Sequence, residues 1–402
     1  MYNSENVLQG RIKKKYDFTG KQKFVSTPMS FSGGVGSGSI PTSNAASYEG
    51  AILTAKSVYA KCQIQREAIK ASMGNEGAFV QATKETVKKN VESYMRNASR
   101  ILFGDGSGVL GVGGTATNVT GAGTAGNPYV VTIADDTYVP FILANFEEKD
   151  HVNVVTGNDR TAFNTGGAAE TTALYISDVT PSTRTIKLVG TSARLAALAA
   201  AGPFANTDAL VMQNSYGVDP VGLKKVVTAT TGTLYNISVQ RRWQGSTADA
   251  AGAGINPDLM NARMLDIEKK FGQVPNLIVT SYEQLRNMLA FMEDQKQYTL
   301  DNRNIKGDLK GMFSFKGVEF MSTRGPVGVF VDRFCAPKDV WFLNDNHIEV
   351  HHRPDFGWFD DDGTVFLRDF ASGSDSYSAL YGGYYDNWII PTAHGQLTGL
   401  AV

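Results

Sequence analysis

Apolar residues recur at three- and four-residue steps over Val80, Val87, Val91, Tyr94, Ala98 and Ile101, with Lys84, Glu85, Lys88, Lys89, Glu92, Arg96 and Arg100 between them. That spacing predicts one amphipathic helix from Glu76 to Phe103, stopped abruptly by Gly104-Asp105-Gly106-Ser107-Gly108. At 1.5 Å per residue such a helix runs about 40 Å, far beyond the ~11–12 residues of an average globular helix. One face is expected to pack and the other to meet water or a partner. Glu85 with Lys89, and Glu92 with Arg96, stand four apart with the acid first, so both pairs are expected to support the helix.

Upstream the pattern is different. Residues 1 to 20 are polar, carry Arg11, Lys13, Lys14 and Lys15, and are expected to form an extended arm that orders on a neighbour. A strand-like run from Lys23 to Phe31, a Ser-, Gly- and Asn-rich tip from Ser32 to Ser47 and a second run from Ala51 to Ile64 predict a long hairpin. Isolated hairpins are marginal in water, and an arm of about 14 residues reaches roughly 45 Å, so the expected support is another copy of the chain.

Downstream, Gly111 to Gly126 reads as irregular or loosely stranded. Tyr129 to Ile133, His151 to Val155, Ala173 to Ile176, Thr185 to Val189 and Ala209 to Met212 are short β-branched runs between turn residues, as in a small inserted β-barrel or sandwich. Ala193 to Ala201 predicts a local helix. From Asn256 the pattern becomes helix, strand, helix. Asn256 can cap, Pro257 suits the first helical position, and Met260, Met264, Ile267 and Phe271 make a stripe ended by Gly272. Asn276 to Thr280 is the strand, and Ser281 with Gln284 forms a capping box for the second helix. The remainder is β-rich: Phe313 to Met321, Val327 to Asp332, Val340 to Leu343, His347 to His351, Thr364 to Phe370 and Ser376 to Ile390. The fold class is α+β.

Composition narrows the function. With 402 residues the chain has ample length for two or three domains. A net charge of -1 and a pI near 6.5 argue against a dedicated nucleic-acid binder, though not against weak contact with a polyanion. Cys62 and Cys335 form no metal or redox motif and fit a reducing compartment. No signal peptide and no apolar run long enough to span a bilayer is present, so no membrane partner is expected.

Candidate chemistry is sparse. Gly106-Ser107-Gly108-Val109-Leu110-Gly111 satisfies G-x-G-x-x-G, but a helix ends there where the dinucleotide fingerprint needs one to begin. A helix stop and chain reversal, with Gly104 or Gly106 at positive φ, accounts for it. His347, Glu349 and His351 alternate along an expected strand and, with His352, supply zinc-ligand types; a polar outer face explains them without a metal. Asp360-Asp361-Asp362 lacks calcium-loop spacing and reads as a solvated turn or a docking spot for basic residues. No catalytic, cofactor-binding or metal-ligating residue is assigned, and no enzyme is expected.

Three stretches carry a resemblance: Gln65-Arg66-Glu67-Ala68-Ile69-Lys70-Ala71-Ser72 with Glu76-Gly77-Ala78-Phe79, then Arg100 to Gly108, then Tyr384-Tyr385-Asp386-Asn387-Trp388 followed by Pro391. Gly222-Leu223-Lys224-Lys225-Val226-Val227 and Tyr235-Asn236-Ile237-Ser238 add to it. In this order the chain resembles the major capsid proteins of tailed bacteriophages, with the Hong Kong 97 fold. The resemblance implies an N-terminal arm at 1–20, an extended loop at 21–66, a spine helix of the peripheral domain at 67–111, peripheral strands with a β-rich insertion at 112–215, an axial domain at 216–345 and closing peripheral strands at 346–402. It implies a non-enzymatic protein that self-assembles into hexamers and pentamers of an icosahedral head around double-stranded DNA, in a virion capsid built in the host cytoplasm. An encapsulin-type nanocompartment shell is the alternative. Implied partners are other copies, a separate scaffolding protein, a portal, a decoration protein and, weakly, packaged DNA; no cofactor is implied. Charge sign makes Arg11, Lys13, Lys14, Lys15, Lys21 and Lys23, against Asp360, Asp361 and Asp362, the candidate inter-subunit contacts. Some members join Lys to Asn covalently between subunits, and Lys21, Lys23 and Asn387 supply those residue types.

Overall fold

The computed structural model describes residues 7–30, 47–67, 76–114, 118–136, 138–157, 167–205, 207–272, 274–294, 318–322, 325–360, 363–368 and 375–402. Its longest element is the expected helix, Glu76–Phe103. Tyr94, Ala98, Ile101 and Leu102 are buried along one side, as the periodicity requires. That side lies on a six-stranded sheet built around the long strand Ser376–Ile389, which pairs with Lys56–Gln65, Ile348–His352, Gly357–Trp358 and Leu367–Arg368.

The second run of the hairpin does not form one leg. Ser47–Thr54 pairs with Gln22–Ser30, and the chain then changes sheets, so that Lys56–Gln65 pairs with Ser376–Ile389. The Ala55 N–H closes the hairpin base on the Lys21 carbonyl at 2.9 Å. The paired legs are thus 9 and 8 residues long, about 30 Å at the rise of a strand. The expected tip, 32–47, lies outside the described residues but for Ser47.

The arm also departs from expectation, because its described part packs on its own chain. Val7–Arg11 is a short helix, Leu8, Ile12 and Phe18 are buried, and Lys13–Lys15 pairs in parallel with Glu349–His351. Three sparse apolar residues are enough to seat it.

Between the long helix and the second half of the chain stands the expected β unit, as a closed barrel. The antiparallel order is Val109–Val112, Ala209–Met212, His151–Thr156, Leu174–Thr180, Thr185–Val189, Tyr129–Thr132. A bridge from Gly113 to Ile133 and the bond from Ala134 N–H to the Val112 carbonyl at 2.8 Å close the ring. Alternate residues such as Val152, Val154, Leu174, Ile176, Ile186 and Leu188 fill its interior. Helix Ala193–Ala201 follows Ser192, whose hydroxyl accepts from Leu195 N–H.

A third sheet runs Ser246–Asp249, Gly395–Thr398, Val340–Leu343, Leu277–Thr280, Gly325–Val331, Val318–Ser322. Helix Pro257–Phe271 covers it, capped by Asn256 and ended at Gly272 with φ 67°. Helix Tyr282–Asp294 follows; Ser281 caps it, but the Gln284 side chain turns away to the Pro337 and Ala401 carbonyls, so the reciprocal half of the capping box is absent. The C-terminal strand Gly395–Thr398 belongs to this sheet and not to the one around Ser376–Ile389, so a boundary at 345/346 does not follow the hydrogen bonding. One core joins the two sheets through Leu102, Phe103, Trp243, Trp341, Ile348 and Trp388.

Candidate assembly interface

The arm's cations find acids and amides of their own chain. Arg11 lies 3.9 Å from Asp345 with its guanidinium over the Phe330 ring, Lys13 donates to Asn346 at 3.4 Å, and Lys15 pairs with Glu349 at 2.7 Å. Lys23 is 2.5 Å from Asp17 and 3.0 Å from Nδ1 of His351. Lys14 and Lys21 are exposed, as is Asp360 in its turn, whereas Asp361 and Asp362 lie outside the described residues. The structure therefore brings the basic residues to Asp17, Asp345 and Glu349, and not to Asp360 of the same chain. Burial opposes ionisation of Asp17, but hydrogen bonds from His351 and Lys23 outweigh it and hold the carboxyl below its ordinary range.

Glu349 and His351 do share a face, with Nε2 of His351 3.3 Å from the Glu349 carboxylate and Nδ1 2.7 Å from Asp17. His352 points to the opposite face and stacks on Tyr16. His347 ends a short 3-10 turn. Among the described residues no three His, Cys, Asp or Glu side chains gather as a ligand set.

The base of the hairpin is fixed by a buried polar network. Asp386 is 2% exposed and accepts from the N–H groups of Thr54, Val221 and Asn387 at 3.3, 3.1 and 3.0 Å. Burial pushes its carboxyl up to about 6. Lys56, whose ammonium is lowered by burial, donates to the Asp219 carbonyl at 2.6 Å, and the Asp219 carboxylate takes Arg100 of the long helix at 3.1 Å. Asn387 is buried and donates its carboxamide to the Val221 carbonyl at 2.7 Å, which engages it inside its own chain.

Strand alternation gives the hairpin two apolar faces. Ala51 and Leu53 are fully buried in the core, with Val25 and Met29 beside them. On the other face Phe24 opposes Ile52 and Pro28 opposes Tyr48, with Phe24 69% and Tyr48 61% exposed. A polar outer face would suit a solitary chain; this one is suited to being covered.

The glycine turn is a helix stop. Positive φ falls at Gly106 (81°) and Gly108 (78°), and the Asp105 carboxylate accepts from Ser107 N–H at 2.9 Å. A Cβ on Gly108 would meet the Ser215 carbonyl at 2.4 Å, so the turn is pressed against the chain leaving the barrel. No strand feeds it and no helix follows it, as a dinucleotide loop requires.

Sequence reading missed Arg96. It sits on the nominally polar helix face, yet is 5% exposed and ion-paired with Glu147 and with Asp150 (2.5 Å) of the barrel, in place of the expected Glu92. Glu85 and Lys89 do pair, at 3.7 Å.

No protein-family profile matches the chain, and no curated protein matches it. Solved structures do. The chain is similar to a protein of the cyanophage A-1(L) capsid asymmetric unit, with TM-score 0.53 and 11% identity over 98% of this chain and 91% of that one. It also matches the capsid of a native GTA particle (TM-score 0.47, 8% identity, 99% and 91% covered) and an encapsulin complex from Synechococcus elongatus (0.43, 7%, 98% and 88%). The chain has the mixed α+β fold of phage capsid proteins, in line with the Hong Kong 97 resemblance of its motifs.

Proposed function

We propose that this chain is the repeating subunit of a closed shell: a major capsid protein forming hexamers and pentamers around double-stranded DNA, with no catalytic role. The capsid fold supports this reading, and the observation that carries it is the two-faced hairpin, whose outer Phe24, Pro28, Tyr48 and Ile52 offer a neighbouring copy an apolar surface. Because Arg11, Lys13, Lys15 and Lys23 are engaged within the chain, apolar contact bears more of the subunit interface than the arm's charge does. Lys14 and Lys21, against the acidic turn at Asp360, add a weaker, salt-screened contribution. Many modest contacts around a ring suffice for a stable shell while each remains reversible during assembly. A near-neutral chain suits weak, sequence-independent contact with the enclosed genome.

Electron microscopy of the expressed protein, alone and with a scaffolding partner, tests the reading: closed particles are expected, and a monomer under every condition overturns it. Particles that enclose protein and never nucleic acid in the native host would favour the nanocompartment instead. The double substitution Phe24→Ser with Tyr48→Ser is expected to leave the unfolding free energy within about 0.5 kcal/mol of wild type, as for exposed positions, while sharply reducing particle yield by sedimentation.

A further inference from the structure

A cleft of about 600 Å3 opens where the barrel, the end of the long helix and strand Lys56–Gln65 meet, within the roughly 300–1,000 Å3 of small-ligand sites. Four polar side chains converge on it without a hydrogen bond of their own among the described residues: Asn97 of the helix, His151 at the start of its barrel strand, and Gln213 and Asn214 just past the barrel's last strand. Their backbones are fixed. Gln213 N–H donates to the His151 carbonyl at 3.1 Å, and Asn214 N–H donates to Oδ1 of the buried Asn153 at 2.9 Å. Asn214 stands at φ 60°, a left-handed conformation that asparagine tolerates better than most residues. The chain holds these groups in place and leaves their polar ends unused.

The opposite wall is aromatic. Ser57 and Tyr59 stand across the sheet from Tyr384 and Gly382, so both phenols emerge on one face beside small partners. The two rings meet edge to face at 6.0 Å, and Arg353 lies over Tyr384 at 5.0 Å with its charge taken by Asp355. The Tyr59 phenol, pushed up to about 12 by partial burial and by its hydrogen bond to Tyr384, stays neutral near pH 7. At the floor, Lys56 and Arg100 are answered by Asp219 and Asp386.

With its lining cations matched, the cleft does not suit a polyanion. An apolar peptide would strip water from four polar side chains and return no hydrogen bond. A saccharide returns them: each sugar hydroxyl both donates and accepts, as a carboxamide does, and the C–H face of a sugar ring packs on a phenol. We propose that this cleft binds a neutral oligosaccharide, with a sugar ring against Tyr59 and Tyr384 and its hydroxyls on Asn97, His151, Gln213 and Asn214. The site lies within a single chain, so it stands or falls independently of the shell reading.

The probe is an array of neutral oligosaccharides of glucose, galactose, mannose and N-acetylglucosamine, with sialylated and sulfated chains beside them. It is screened with the full-length protein and with Val218→Trp, whose indole fills the cleft from an exposed position. Gln213→Trp replaces that variant if it does not fold. Neutral glycans should be retained by wild type alone. Titrated by calorimetry, the best of them should bind Asn97→Ala/Gln213→Ala and Tyr59→Ser each about tenfold more weakly, a loss of about 1.4 kcal/mol, while Tyr48→Ser, outside the cleft, should bind as wild type does. Asn97→Ala/Gln213→Ala should unfold at the wild-type temperature or above, because neither side chain bonds within the chain, which separates lost binding from lost folding. No neutral glycan held above the filled cleft, or wild-type binding by either weakened variant, overturns the proposal. So does retention of charged glycans alone, or a second copy seated in the cleft, read as a wild-type dimer that Val218→Trp lacks.

Discussion

Asp386 shows how much one side chain can organise. Its carboxylate reaches the hairpin through Thr54 and the segment leaving the barrel through Val221, from near the end of the central strand. Its folded pKa of about 6 stands above the ordinary 3.8. The stability this group contributes is therefore fully present below about pH 4 and is lost as pH rises through 6. In urea titrations the advantage of wild type over Asp386→Asn should shrink between pH 4 and 6, by at most about 3 kcal/mol, and stay level above. Glycines allow a second test at the same scale. Gly106→Ala meets nothing closer than 3.6 Å and should cost roughly 1 kcal/mol for its positive φ, whereas Gly108→Ala must displace the Ser215 backbone and should cost roughly 2–4 kcal/mol. Thermal unfolding of the two variants checks the order.

At the scale of elements, legibility in the sequence depended on how local the decisive force was. The long helix was readable to the residue because its period and its glycine stop both lie in its own sequence. The Asn256 cap was equally local, and five of the six barrel strands showed as β-branched runs bounded by turns, though Leu174–Thr180 runs past the expected Ile176 and Val109–Val112 was not foreseen. The switch of sheets at Ala55 was not, since both halves of the run alternate as strands do and a residue more than 300 positions away decides where one ends. Arg96 was misread for the same reason: its acid partner lies 54 residues on, and no pattern within the helix reveals it. Arg96→Ala would strand Asp150 beside the helix and untie the barrel from it. With Glu147 half exposed, a loss near the low end for buried pairs, about 3 kcal/mol, is expected in chemical denaturation, with earlier exchange of barrel amides.

For the whole molecule, the sequence indicated an α+β chain with an arm and a long hairpin reaching for a neighbour, and the arm proved more self-reliant than its polarity implied. Leu8, Ile12 and Phe18 anchor the arm in its own chain, and salt links hold its cations there. Raising ionic strength should therefore loosen the arm before it affects the core, because exposed pairs are screened first. Limited proteolysis at 50 mM and about 1 M salt should show faster cutting before residue 20 at high salt, with the remainder intact. The candidate inter-subunit contacts were drawn from charge sign, which gives no distance; within the chain Arg11, Lys15 and Lys23 meet Asp345, Glu349 and Asp17.

The barrel starts at Val109 and finishes at Met212, and these two terminal strands lie side by side, Val109 opposite Val211. Where the polypeptide departs and where it comes back are about 5 Å apart. A graft at this seam, exchanging the whole bead for a foreign domain with neighbouring ends, would leave the surrounding scaffold's backbone path unchanged and turn the molecule into a carrier.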